Sequence, residues 1–77
     1  MSNVTFNKTL DKKTRKLYIS YPIEDISKDY EIIKRIVYSC REKGLCYYFT
    51  IDSNRTLRNF IIFSEDWNEL KDFYGKL

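Results

Sequence analysis

The chain has 77 residues, with 14 Lys and Arg against 11 Asp and Glu, a net charge of +3 and no His. That length allows one thin core, with a radius of gyration of about 11–12 Å, and excludes a two-domain cleft. At 43% hydrophobic and 17% aromatic residues the chain is too apolar for disorder, and no apolar run approaches the ~20 residues of a membrane span.

Val4–Leu10 alternates, with Val4, Phe6 and Leu10 on one face and Thr5, Asn7 and Thr9 on the other. This predicts a strand, although Lys8 falls on the apolar side. Met1–Leu10 is polar and lacks a signal-peptide core. Asp11–Thr14 reads as a turn. Lys16–Tyr21 alternates again, with Leu17, Ile19 and Tyr21 on one face, and Pro22 ends it because it has no N–H for a ladder. The two segments form a hairpin. Ser27 is a good helix N-cap. From there Ile26, Tyr30, Ile33, Val37 and Cys40 recur at helical spacing, with Asp29 and Glu31 near the start and Arg41 and Lys43 near the end, as the helix dipole favours. Gly44 suits the C′ position. Leu45–Ile51 and Leu57–Phe63 read as strands around the turn Asp52–Arg55. Glu65-Asp66 opens a second helix with Trp67, Leu70, Phe73 and Tyr74 on its apolar side.

The order is ββαββα, in one domain (1–77) made of two ββα units, about 4–43 and 45–77. The halves resemble each other: Thr9-Leu10-Asp11 answers Thr50-Ile51-Asp52, Leu17-Tyr18-Ile19 answers Asn59-Phe60-Ile61, Glu24-Asp25-Ile26 answers Glu65-Asp66-Trp67, and Asp29-Tyr30 answers Asp72-Phe73, at offsets of 41 to 43 residues. The expected fold is α+β: a four-stranded antiparallel sheet in the order 1-2-4-3 with both helices on one face. The inward residues are then Leu17, Ile19, Tyr21, Leu45, Tyr47, Phe49, Ile51, Ile61 and Phe63. Facing outward are Lys16, Tyr18, Ser20, Cys46, Tyr48, Thr50, Arg58, Phe60 and Ile62. A solvated face is normally polar. An apolar patch holding Tyr18, Tyr48, Phe60 and Ile62, flanked by Lys16 and Arg58, marks an interaction site or the contact surface of a homodimer.

ββαββα is a circular permutation of the ferredoxin-like βαββαβ order, and residues 17–77 resemble a divergent RNA-recognition-motif domain. Leu17-Tyr18-Ile19-Ser20 is similar to that family's first-strand motif, and Arg58-Asn59-Phe60-Ile61-Ile62-Phe63 to its third-strand motif. The resemblance implies that Tyr18 and Phe60 stack on bases. The family's glycines are absent from the second motif, Ile62 stands where a second aromatic is usual, and Val4–Leu10 must replace the last strand.

Without His the chain lacks the commonest metal ligand and general base. Two Cys cannot complete a structural zinc site, and neither common phosphate-loop motif is present. These absences argue against an enzyme and against a metal or cofactor. The acidic residues Glu24, Asp25, Asp29, Glu31, Glu65, Asp66, Glu69 and Asp72 sit where helix N-termini favour negative charge. Cys40 lies on the apolar stripe of the first helix and reads as a core thiol. A Cys40–Cys46 bridge is within reach around Gly44 but disfavoured in the reducing cytoplasm expected here. The absence of Ala and the scarcity of Gly and Pro indicate AT-rich codons, as in a low-GC bacterium, its phages or an archaeal virus.

Two binding functions follow. One is a cytoplasmic protein-interaction or inhibitor module, of mobile-element or phage anti-defence type, using the aromatic face or a strand edge. The alternative is single-stranded nucleic-acid binding, with bases on Tyr18 and Phe60, phosphates on Lys16, Arg58 and Arg55, and Lys12, Lys13 and Arg15 as further phosphate contacts. The basic run from Lys8 to Lys16 reads better as a solvated turn than as a phosphate-contacting tip.

Overall fold

The computed structural model describes residues 5–77, so the start of the expected first strand at Val4 lies outside the described residues. Four strands and two helices follow in the expected order: β1 (Asn7–Asp11), β2 (Lys16–Pro22), α1 (Ile26–Lys43), β3 (Cys46–Ile51), β4 (Leu57–Phe63) and α2 (Trp67–Lys76). The sheet runs β1-β2-β4-β3 and every neighbouring pair is antiparallel. The Cα radius of gyration is 12.2 Å.

The hairpin turns are tied down by an Asp at each start. Asp11 accepts from the backbone N–H groups of Lys13 and Thr14. Asp52 accepts from those of Thr56 and Leu57 and from the Thr56 hydroxyl. Led by the Leu57 N–H, these bonds hold the Asp52 carboxyl below the ordinary carboxylate range. Helix α1 begins a little earlier than Ser27 suggests. Asp25 is the N-cap, its carboxylate 2.8 Å from the Lys28 nitrogen, and a charged acceptor at the positive end of the helix is favoured over a hydroxyl. Gly44 closes the helix in the left-handed region at φ 70°, returning N–H bonds to Arg41 and Cys40. Asp66 caps α2 in the same way as Asp25 caps α1.

The core lies between the helices and one sheet face. Leu17, Ile19 and Tyr21 of β2, Phe60 and Ile62 of β4, Ile32, Ile36 and Cys40 of α1, Leu45, and Leu70 and Phe73 of α2 are all buried. Trp67, which the sequence places on the apolar side of the helix with Leu70 and Phe73, packs only at the margin of the core, as the first residue of α2. On β1, Lys8 does face inward. Its ammonium escapes the apolar surroundings by donating to the Tyr74 carbonyl at 3.0 Å and lying 4.5 Å from the Tyr74 ring centre.

The ladder overturns one expectation. Leu17 pairs with Ile62, Ile19 with Phe60 and Tyr21 with Arg58. Paired residues share a face, so Arg58, Phe60 and Ile62 point toward the helices, and Ile61 and Phe63 point outward. The whole of β4 is therefore inverted relative to the sequence reading. A one-residue slip does this to every side chain of a strand, and Phe60–Phe63 is apolar at four consecutive positions, so its own alternation could not fix the parity.

Candidate functional site

The outer sheet face is built from three cross-strand rows. One is polar: Asn7, Ser20, Asn59 and Thr50. The next is Thr9, Tyr18, Ile61 and Tyr48. The last is Asp11, Lys16, Phe63 and Cys46. Tyr18, Tyr48 and Phe63 remain 38%, 52% and 37% exposed although they lie within regular strands. No helix covers them, because both helices bury their apolar stripes on the other side. Asn7, Thr9, Tyr18, Ser20, Asn59 and Ile61 border a shallow depression of about 300 Å³. The face is nearly neutral: Lys16 is its one cation among these ladder positions, and the Asp11 backbone lies opposite it.

Of the expected site residues, Tyr18, Tyr48 and Lys16 do meet on this face. Phe60 and Ile62 do not: they are 1% and 0% exposed and form the middle of the core. Their places are taken by Ile61 and Phe63. A base therefore cannot stack on Phe60, as the family resemblance implied. Phe60 instead packs against Phe49, with ring centres 5.1 Å apart.

Arg58 is likewise withdrawn from any phosphate. It lies under the sheet beside Asp29, which is buried on α1. The guanidinium Nη2 donates to Asp29 Oδ2 at 2.6 Å and Nε to Oδ1 at 3.2 Å, while the Tyr21 hydroxyl donates to Oδ1 at 2.8 Å. Burial alone would push the Asp29 carboxyl up. The bonds from Arg58 and Tyr21 and the guanidinium charge outweigh burial and hold it below its ordinary value. The bond to Asp29 raises Arg58 in turn. Burial, then the Asp29 bond, raises Tyr21. The helix-dipole reading of Asp29 was thus incomplete: it is the buried anion joining α1 to β2 and β4. Only its spacing on the buried helix stripe, four before Ile33 and three before Ile32, could have signalled this.

The remaining expected cations lie at the two ends of the sheet. Lys12 and Lys13 are exposed in the β1–β2 turn. Arg15, at φ 56°, ends that turn and sends its guanidinium Nη1 to the Glu65 carbonyl at 3.3 Å. This basic turn adjoins Lys16 and Phe63. Arg55 lies in the other turn, at φ 60°, its N–H donating to the Asp52 carbonyl. Cys40 is buried and its thiol is pushed up to about 11 by that burial, whereas Cys46 is exposed; both are free.

No family model, no curated protein and no solved structure matches the chain. No helix among the described residues is long and apolar enough to cross a membrane. Among the same residues no three His, Cys, Asp or Glu side chains are grouped to hold a metal ion.

Proposed function

We propose that the chain is a small non-enzymatic binding module, working as an inhibitor or adaptor whose outer sheet face takes a protein partner. The observation that supports this is the aromatic, nearly neutral character of that face. Tyr18, Tyr48, Ile61 and Phe63 adjoin one another across three strands, Lys16 is the one cation among the ladder positions of the face, and Arg58 is turned beneath the sheet and paired. Aromatic residues are enriched and charges depleted at the centre of protein interfaces. The fold is read as a circularly permuted ferredoxin-like sandwich acting in a reducing cytoplasm, where Cys46 stays a thiol. The AT-rich composition suits an inhibitor encoded by a phage or mobile element, in which case the compartment is the host cytoplasm.

One observation favours single-stranded nucleic acid as a second reading. The face still offers three exposed aromatics, and Lys12, Lys13, Arg15 and Lys16 gather at its Phe63 end. The experiment has two arms, with folding checked by circular dichroism. In one, proteins retained by the wild type from a bacterial lysate at physiological salt are compared with those retained by Ile61→Asp. Loss of a stoichiometric partner in the variant supports the protein reading. In the other, binding of a fluorescent mixed-sequence single strand is followed by polarisation at low and physiological salt. Salt-sensitive binding that Phe63→Ala weakens by ~1–3 kcal/mol moves the assignment to nucleic acid. If Ile61→Asp and Phe63→Ala change neither arm, the outer face is not the functional surface.

A further inference from the structure

The two edges of the sheet are built differently. Strand β1 is short and carries the devices that keep an edge from pairing: polar Asn7, Thr9 and Asp11 on its outer side and an inward lysine, Lys8, fastened to α2. Strand β3 reads Cys-Tyr-Tyr-Phe-Thr-Ile. It has no charge, Pro or Gly, and all six of its residues pair in unbroken register with β4 on one side. Among the described residues its other side is an open edge. Tyr48 is 52% exposed on the outer side, and Phe49 and Ile51 are 38% and 42% exposed on the helix side, where α1 does not reach over them.

The neighbouring flank of α1 is apolar as well. Ile26, Tyr30, Ile33 and Val37 fall on one stripe, with Tyr30 58% exposed. The opposite flank of α1 turns to α2, where Lys43 meets Asp72 at 3.1 Å. The apolar flank therefore looks away from α2, toward the β3 edge against which α1 lies.

We propose that this edge is a homodimer interface: two copies pair β3 with β3 in antiparallel fashion about a twofold axis, extending the sheet to eight strands and bringing the two α1 flanks together. A second copy fits for three reasons. An uncharged strand meets its own copy without like charges opposite one another. Helix α1 packs against β3 and is joined to it by Gly44 and Leu45 alone, so the chain doubles back and the same axis sets the two α1 helices antiparallel. The acidic start of one (Glu24, Asp25) then faces the basic end of the other (Arg41), and the helix dipoles oppose favourably. The exposed parts of Ile26, Tyr30, Tyr48, Phe49 and Ile51 amount to roughly 500 Å² per copy, so covering them fully buries up to ~1,000 Å² in total, the least that a biological interface needs. Closed twofold pairing also leaves a protected β1 strand at each of the two edges that the described residues form in the assembly.

The test is sedimentation equilibrium of the full chain across the micromolar range, with backbone hydrogen exchange read strand by strand. Tyr30→Glu is the deciding variant, because Tyr30 is solvent-exposed and outside the sheet. The expected result is a dimer whose β3 amides lose protection on dilution while β1 amides do not change. Tyr30→Glu should raise its dissociation constant about tenfold or more. Ile61→Asp on the outer face should leave the dimer intact, which separates this interface from the partner surface above. A monomer throughout the range overturns the proposal. So does a dimer that Tyr30→Glu leaves unchanged, one whose β3 amides exchange as freely as those of β1, or one that Ile61→Asp disperses.

Discussion

Strand β4 carries four consecutive large hydrophobes, and they divide into two pairs of opposite fate. Phe60 and Ile62 lie under α1 and α2 and are essentially inaccessible, whereas Phe63 stays 37% exposed and Ile61 borders the open depression. Chemistry does not separate the pairs, since each contains one Phe and one Ile. What separates them is the layer beneath. The helices bring Ile36, Leu70 and Phe73 to one side of the sheet and nothing among the described residues to the other. The inner pair is accounted for by the core. The outer pair is not, and in a domain this small an apolar residue that the core does not use is the better guide to binding.

The sharpest way to break this comparison is to truncate one member of each pair. Phe60→Ala should cost about 3–5 kcal/mol, enough to unfold much of a domain whose total stability is on the order of 4–12 kcal/mol. Phe63→Ala should stay within about 1 kcal/mol, because its ring already meets water. Urea denaturation of both variants at unchanged m-value measures the difference. Equal losses would mean that the two faces are misassigned.

The next largest effect comes from the polar part of the inner face. Asp29→Asn leaves the Arg58 guanidinium beneath the sheet without its counter-charge and should cost about 3 kcal/mol. The sign of its pH dependence follows from the geometry. Arg58 and Tyr21 hold the folded Asp29 carboxyl below its unfolded value of about 3.9. Its contribution is therefore fully present above that value and is lost as pH falls through the folded one. The stability gap between wild type and Asp29→Asn should be constant near neutrality and narrow on acidification below about pH 4. A gap that is flat down to acid unfolding would mean that the carboxylate charge contributes nothing.

Element order, sheet order and both helices were legible because each rests on a local signal: alternation, 3.6-residue periodicity, a Gly at a helix end. The parity of β4 was not, and the internal repeat shows why. Thr9–Asp11 matches Thr50–Asp52 at an offset of 41, whereas matching Leu17-Tyr18-Ile19 to Asn59-Phe60-Ile61 slips to 42 and flips the strand. In the structure the offset of 41 holds throughout. Ile19 stands opposite its own counterpart Phe60 at the centre of the sheet, and the two N-caps are Asp25 and Asp66. Holding that offset would have placed Phe60 and Ile62 inside. The Asp29–Arg58 pair was beyond local reading, since its partners are 29 residues apart and each has an ordinary solvent-exposed explanation in isolation. The exposed Phe49 and Ile51 were read as inward, correctly by parity. Their exposure depends on how far α1 reaches across the sheet, which no pattern within β3 encodes.

The two thiols carry the comparison of faces to its smallest effect. Cys40 is on the buried side of α1 and Cys46 is on the outer face, opposite Phe63 in the ladder. Cys46→Ser should change stability by no more than about 0.5 kcal/mol. Modification by an aromatic disulfide reagent should reach Cys46 at the rate of an ordinary exposed thiol. Cys40 should react only as the chain unfolds, since burial both blocks access and, by raising its pKa to about 11, suppresses the reactive thiolate. The fast phase then reports on whatever covers the outer face. A ligand seated on Tyr18, Ile61 and Phe63 should slow Cys46 without altering Cys40, whereas pairing of β3 edges, which covers part of Tyr48 but leaves the surface of Tyr18, Ile61 and Phe63 in solvent, should slow it little. If both thiols react together in the native protein, the inner face opens on the timescale of labelling, and the division between the two pairs on β4 is not maintained in solution.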